Sequence, residues 1–188
     1  MTRVALDAMG GDYAPKQIIV GAVEAVCGID DVKVFLVGNS ETIQKEVGRF
    51  AKNRKAMYFE AVSSGRLEIV HAPDQVEMDD VPVDAVRKKK DCSINVAMRL
   101  VKEGKADAFV SVHHNATAAH RDPREVRHTT TYASLSNGFA LASSIQKYVG
   151  QVMSPVKDNG AQMKSLAVCR NPAVPSCLLE VDFINLPE

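Results

Sequence analysis

The sequence predicts an α/β fold, a single three-layer domain in which a mainly parallel sheet carries helices on both faces. Three observations lead there. Short apolar runs alternate with longer stretches of helical period from the N-terminus onward, as strands and crossover helices do. Glycine-containing turns separate many of them. A length of 188 residues with 46% hydrophobic side chains suffices for one proper core and favours one domain over two.

Val4 to Leu6 is a short strand, Asp7-Ala8-Met9-Gly10-Gly11-Asp12 a turn, and Pro15 suits the first position of a helix. That helix carries Ile19, Val23 and Val26 on one face and ends at Gly28. Val32 to Val37 is a second strand and Gly38-Asn39-Ser40 its turn, followed by a helix with Ile43, Val47, Phe50 and Ala51 as its buried stripe. Leu67 to Val70 forms a third strand ending at His71, and residues 72–82 form a long loop. Ser93 is a good N-cap for a helix carrying Val96, Leu100 and Val101, which Gly104 closes before a strand over 106–112. Beyond residue 116 the texture turns polar. Thr129 to Tyr132 favours a strand, and Asn137 to Val149 a helix with Phe139, Ala142, Ile145 and Val149 inward. Leu166 to Cys169 and Ser176 to Phe183 are two further strands, set apart by Asn-Pro and Val-Pro punctuation.

Twenty-three basic and 23 acidic side chains cancel, so nothing global attracts nucleic acid or an anionic membrane. No apolar run reaches the roughly 18 residues of a membrane span. Asp7 interrupts the first apolar run too early for a secretory signal, so the chain reads as cytoplasmic. Cys27, Cys92, Cys169 and Cys177 show no C-x-x-C spacing and read as reduced core thiols.

Three places carry residue types that chemistry needs. In the first turn, Gly10 and Gly11 let backbone amides approach an anion near a helix start, although Asp7 and Asp12 put negative charge beside it. Arg87-Lys88-Lys89-Lys90 is a run of cations suited to an acidic carrier protein or a phosphorylated ligand, or to a solvated helix end. The third is Phe109-Val110-Ser111-Val112-His113-His114, a strand ending in two imidazoles where parallel sheets place ligands. Glu180, within the apolar Leu178-Leu179-Glu180-Val181, is costly unless paired or working. A histidine ligand with a carboxylate base is zinc-hydrolase chemistry; a strand-end histidine and a salt-bridged glutamate are its structural counterpart.

Two family resemblances follow. From Arg3 to about Val110 the chain resembles the bacterial phosphate acyltransferases of fatty acid and phospholipid synthesis. The stretches that carry this are Val4-Ala5-Leu6-Asp7-Ala8-Met9-Gly10-Gly11-Asp12, Ile69-Val70-His71-Ala72, Met78-Asp79-Asp80, Lys89-Lys90-Asp91 and Leu100 to Ser111. From about residue 106 to 188 it is similar to the zinc-dependent N-acetylmuramoyl-L-alanine amidases, most strongly at Ser111 to Ala116, and through Leu135 to Gly150, Asp158-Asn159-Gly160, Val168-Cys169-Arg170-Asn171 and Pro175 to Glu188. The glycine-rich turn that follows the shared strand in the acyltransferases is missing here.

The second resemblance implies His113 as a zinc ligand and Glu180 as the catalytic glutamate. The amidases' first zinc histidine belongs where this chain has Met9, Gly10 and Gly11, leaving an incomplete ligand set for zinc with His114 and Asp12 as the available surrogates. Glu24 lies too far along the first helix, about 13 Å beyond Pro15 at 1.5 Å per residue, and Asp182 stands where amidases carry glycine. Together the resemblances imply a chimera, engineered or recombined, joined within 106–112, with incomplete parental sites and little catalysis. The alternatives are a zinc amide hydrolase acting on a peptidoglycan fragment and acyl transfer from acyl carrier protein to phosphate. Self-association into a homo-oligomer is a further partner expectation.

Overall fold

Among the described residues, seven strands and the helices between them form an α/β fold with one mixed, mostly parallel sheet flanked by helices on both faces, as the alternation predicts. The architecture is that of a computed structural model, which describes residues 1–10, 14–75, 87–115, 127–153, 156–166, 169–170 and 173–183. Contacts divide the chain into two compact units, Met1–Phe109 and Val110–Glu188.

In the first unit β1 (Thr2–Asp7) pairs in parallel with β2 (Val32–Gly38), Val4 opposite Val34, and β2 with β3 (Leu67–His71), Gly38 opposite His71. The start of β4 (Ala108–Asn115) lies parallel to β1 on its other side, with Phe109 opposite Ala5. Alternation along β2 sends Val34 and Leu36 into a core with Ile19, Val23 and Val26 of α1 (Lys16–Gly28), Ile43 and Val47 of α2 (Ser40–Gly48) and Tyr58 and Ala61 of α3 (Lys52–Ser63). Phe35 and Val37, equally buried, face the opposite way, where α4 (Ser93–Lys102) packs on β1 and β2. The predicted single helix after β2 is two: the chain breaks after Gly48, Phe50 stays buried, and Ala51 becomes the exposed N-cap of α3. Ser93 is the first residue of α4 and not its cap; Cys92 takes that place without a side-chain bond. Gly104, at φ +69°, supplies the left-handed turn that ends the helix.

In the second unit β5 (His128–Ala133) is central, antiparallel to β7 (Ser176–Phe183) and parallel to β6 (Lys157–Met163). One helix, α5 (Ser136–Val152), packs on all three. Thr129, Thr130 and Thr131 are fully buried. Thr130 alone opposes Asn159 and Gly160, a bulge that the φ of +77° at Gly160 accommodates. Leu166 and Cys169 stand outside any strand; β6 takes the place beside β5 instead. Three of the four cysteines are buried and free as predicted, while Cys27 is exposed.

Candidate functional site

Parallel strands place ligands beyond their carboxyl ends, and in the first unit those ends converge on a cleft of about 300 Å³ lined by Met9, Asn39, Thr42, Pro73, Asp74, Gln75 and Lys89. The turn after β1 forms its first wall. The Asp7 carboxylate bends back so that Oδ1 accepts the backbone N–H of Met9 at 2.8 Å. A Cβ at Gly38 would stand 2.9 Å from Met9 Sδ, so the turns after β1 and β2 approach closely because Gly38 has no side chain, while one at Gly10 would stand 3.2 Å from Asp7 Oδ2 within its own turn.

Asn39 caps α2, its Oδ1 accepting the N–H of Thr42 at 3.0 Å. The far wall is tied together by backbone and side chain. Lys89 Nζ donates to the carbonyl of Gln75 at 3.0 Å, and the Lys89 carbonyl in turn accepts from Asn95 Nδ2 at 2.9 Å. Ser93 N–H donates to the Asp74 carbonyl at 3.1 Å, across a parallel bridge between Asp74 and Cys92. The cleft therefore presents an ammonium, two amides, a hydroxyl and one carboxylate, which together offer several donors and one acceptor to a small polar group. Of the predicted cation run, Lys89 alone lines this cleft; Arg87, Lys88 and Lys90 are exposed.

A second cleft of about 380 Å³ opens on the other side of Pro73, with Val70, Val96 and Leu100 in its lining beside His71, Arg99 and Lys105. Its cations are already partnered. Arg99 bonds Asp91 at 2.8 Å and Lys105 bonds Glu103 at 2.8 Å, which holds the Glu103 carboxyl below its ordinary range.

The remaining sequence candidates are not among the described lining of either cleft. Gly10 sits in the turn just described, while Gly11 and Asp12 lie outside the described residues. His113 and His114 belong to β4. Glu180 sits on β7, opposite Thr130, half-buried; burial raises its pKa, against the opposing charges of Lys164 and His128. Among the described residues no group of three or more His, Cys, Asp or Glu side chains could hold a metal ion. Asp12 and the side chains of His113 and His114 lie outside the described residues, so the ligand set that the resemblance implies is not brought together among the described ones. Sequence reasoning missed Asn39, Thr42 and Gln75; Gly38-Asn39-Ser40 had shown only as a turn.

Among the described residues no helix is long and apolar enough to cross a membrane. The sequence matches the family described as fatty acid synthesis protein over residues 2–127 and the N-acetylmuramoyl-L-alanine amidase family over residues 74–188. It is 49% identical over 111 residues to a phosphate acyltransferase of Desulforamulus reducens, covering 59% of this chain and 30% of that protein. It is 42% identical over 109 residues to that of Syntrophomonas wolfei, covering 58% and 31%. The chain thus spans about a third of the length of the curated relatives it matches.

The catalytic domain of CwlV, an N-acetylmuramoyl-L-alanine amidase from Bacillus (Paenibacillus) polymyxa var. colistinus, shares the fold. Its TM-score is 0.52 at 18% identity, over 97% of this chain and 81% of that one. The CwlD amidase from Clostridioides difficile, solved in complex with the GerS lipoprotein, gives 0.50 at 14% identity, over 97% and 83%. These findings correct the expectation of a chimera with incomplete parental sites and little catalysis. One continuous fold runs over nearly the whole chain, and the two family matches overlap across 74–127 instead of meeting at a join. The chain belongs to the fatty acid synthesis protein family over residues 2–127 and to the N-acetylmuramoyl-L-alanine amidase family over residues 74–188, two memberships carried by one α/β fold.

Proposed function

We propose that the chain carries the acceptor half of an acyl transfer to inorganic phosphate, with acyl carrier protein as donor. The observation that carries this reading is the identity of 42–49% to phosphate acyltransferases over about 110 residues, the part of the chain that includes the polar cleft. The cleft's chemistry agrees with it. Phosphate needs several donors converging from different elements, and Lys89, Gln75, Asn39 and Thr42 come from three separate segments. Asp74 in the same lining suits the monoprotonated form, whose O–H can donate a hydrogen bond to the carboxylate. The exposed Arg87, Lys88 and Lys90 offer an acidic carrier protein a cationic landing beside the cleft.

Calorimetric titration with inorganic phosphate tests the acceptor role. Binding that weakens about 10-fold or more in Lys89→Ala, the loss of one charge-assisted contact, supports it. Phosphate affinity that is absent, or unchanged in Lys89→Ala, contradicts it.

A further inference from the structure

Between the two clefts stands a serine–histidine pair that the acceptor role does not use. Gly38 lies opposite His71 in the β2–β3 ladder, and two residues past Gly38 the chain reaches Ser40 at the start of α2. This register brings Ser40 Oγ to 3.1 Å from His71 Nδ1. The backbone N–H of Ser40 points at the same nitrogen from 3.3 Å.

An amide N–H can only donate, so the nitrogen it faces carries its lone pair and the ring proton resides on Nε2. His71 is thereby held as the tautomer whose basic nitrogen faces a hydroxyl, the arrangement a general base needs for an oxygen nucleophile. The imidazole also lines the second cleft, where Val70, Val96 and Leu100 stand beside the paired charges of Arg99 and Asp91 and of Lys105 and Glu103. Asn39 and Thr42, on either side of Ser40, line the polar cleft.

We propose that Ser40 is a nucleophile that accepts an acyl group from an activated acyl ester or acyl phosphate, with His71 as its base. Ser40 Oγ attacks the acyl carbonyl and the new Oγ–C bond forms as the hydroxyl proton passes to His71 Nδ1. The bond from the acyl carbon to the leaving oxygen breaks, its electron pair departing with the leaving group. His71 then returns its proton to that group or to water. The class of donor rests on the acyl-transfer reading, but labelling needs neither phosphate nor carrier protein, so its failure leaves that reading standing.

The experiment incubates the full chain with p-nitrophenyl acetate and, separately, with acetyl phosphate, followed by intact mass measurement and peptide mapping. One acetyl group on Ser40 is expected, absent in Ser40→Ala. In His71→Ala the rate should fall at least about 100-fold, the usual contribution of a positioned base, and added imidazole should restore part of it. A wild-type protein without acetyl on Ser40 overturns the proposal. So does a rate that His71→Ala leaves unchanged, or one that imidazole raises equally in wild type and variant.

Discussion

The side-chain amide of the buried Gln146 donates to the exposed Asp158 Oδ1 at 2.7 Å, linking α5 to β6 in the second unit. The same side chain accepts from Thr131 Oγ1 at 2.7 Å and donates to the Thr129 carbonyl at 3.2 Å. Asp158 Oδ1 also accepts the N–H of Gly160 at 2.9 Å, fixing the bulge. Gln146 is 3% exposed, so it is an interior polar residue whose bonding groups are all used.

Replacing it with an apolar side chain of similar size strands its partners. Gln146→Leu is expected to destabilise the chain by about 1–3 kcal/mol for each buried group left unsatisfied. Urea unfolding measures this. Combining it with Thr131→Val should cost less than the two single changes summed, because the two side chains share one hydrogen bond.

Gly138, in the first turn of α5, lies so close to the backbone carbonyl of Ser176 on β7 that a Cβ has no room. A backbone carbonyl held in a strand cannot swing aside as a long side chain can. Overpacking of this kind costs about 1–3 kcal/mol, against the roughly 1 kcal/mol that alanine gains over glycine in a helix. Gly138→Ala is therefore expected to lower the unfolding midpoint, and an unchanged or raised midpoint would show that α5 does not rest on β7 in this way.

Glu180 predicts a pH dependence of definite sign. Burial raises its pKa in the fold above the unfolded value, despite the favourable charges of Lys164 and His128. The native state then holds its proton more tightly than the unfolded state, and stability falls as pH rises from the unfolded pKa through the folded one. Below both values the contribution is fully present. Glu180→Gln removes the titration, so its thermal midpoint should exceed that of the wild type near pH 7, and the advantage should shrink toward pH 3. Midpoints measured across that range check both the sign and the window.

The first three strands were legible because their apolar runs are short and bounded, and the end of α1 because Gly28 closes it. What stayed hidden was hidden for physical reasons. In α3 only Tyr58 and Ala61 are buried, too few to print a period on twelve residues. Strand β6 reads Lys-Asp-Asn-Gly-Ala-Gln-Met, with no alternation of apolar side chains, because it pairs at the side of its unit and exposes both ends. In α5 the predicted inward face misplaced Phe139, which is 37% exposed, while Gln146 occupies the interior through hydrogen bonds that no hydrophobic pattern announces. Of the site, the glycine turn and Lys89 could be read directly. Asn39, Thr42 and Gln75 could not, since their place in the cleft comes from strand register and helix capping, and ordinary polar side chains leave no mark at that distance in sequence.

The most direct test of the central claim is phosphorus NMR of the chain incubated with acylated carrier protein and inorganic phosphate. The account predicts a new acyl phosphate resonance that grows with phosphate concentration and falls at least about 10-fold in Lys89→Ala, the loss of one charge-assisted contact. No acyl phosphate from the wild-type chain, or formation that Lys89→Ala leaves untouched, would contradict it.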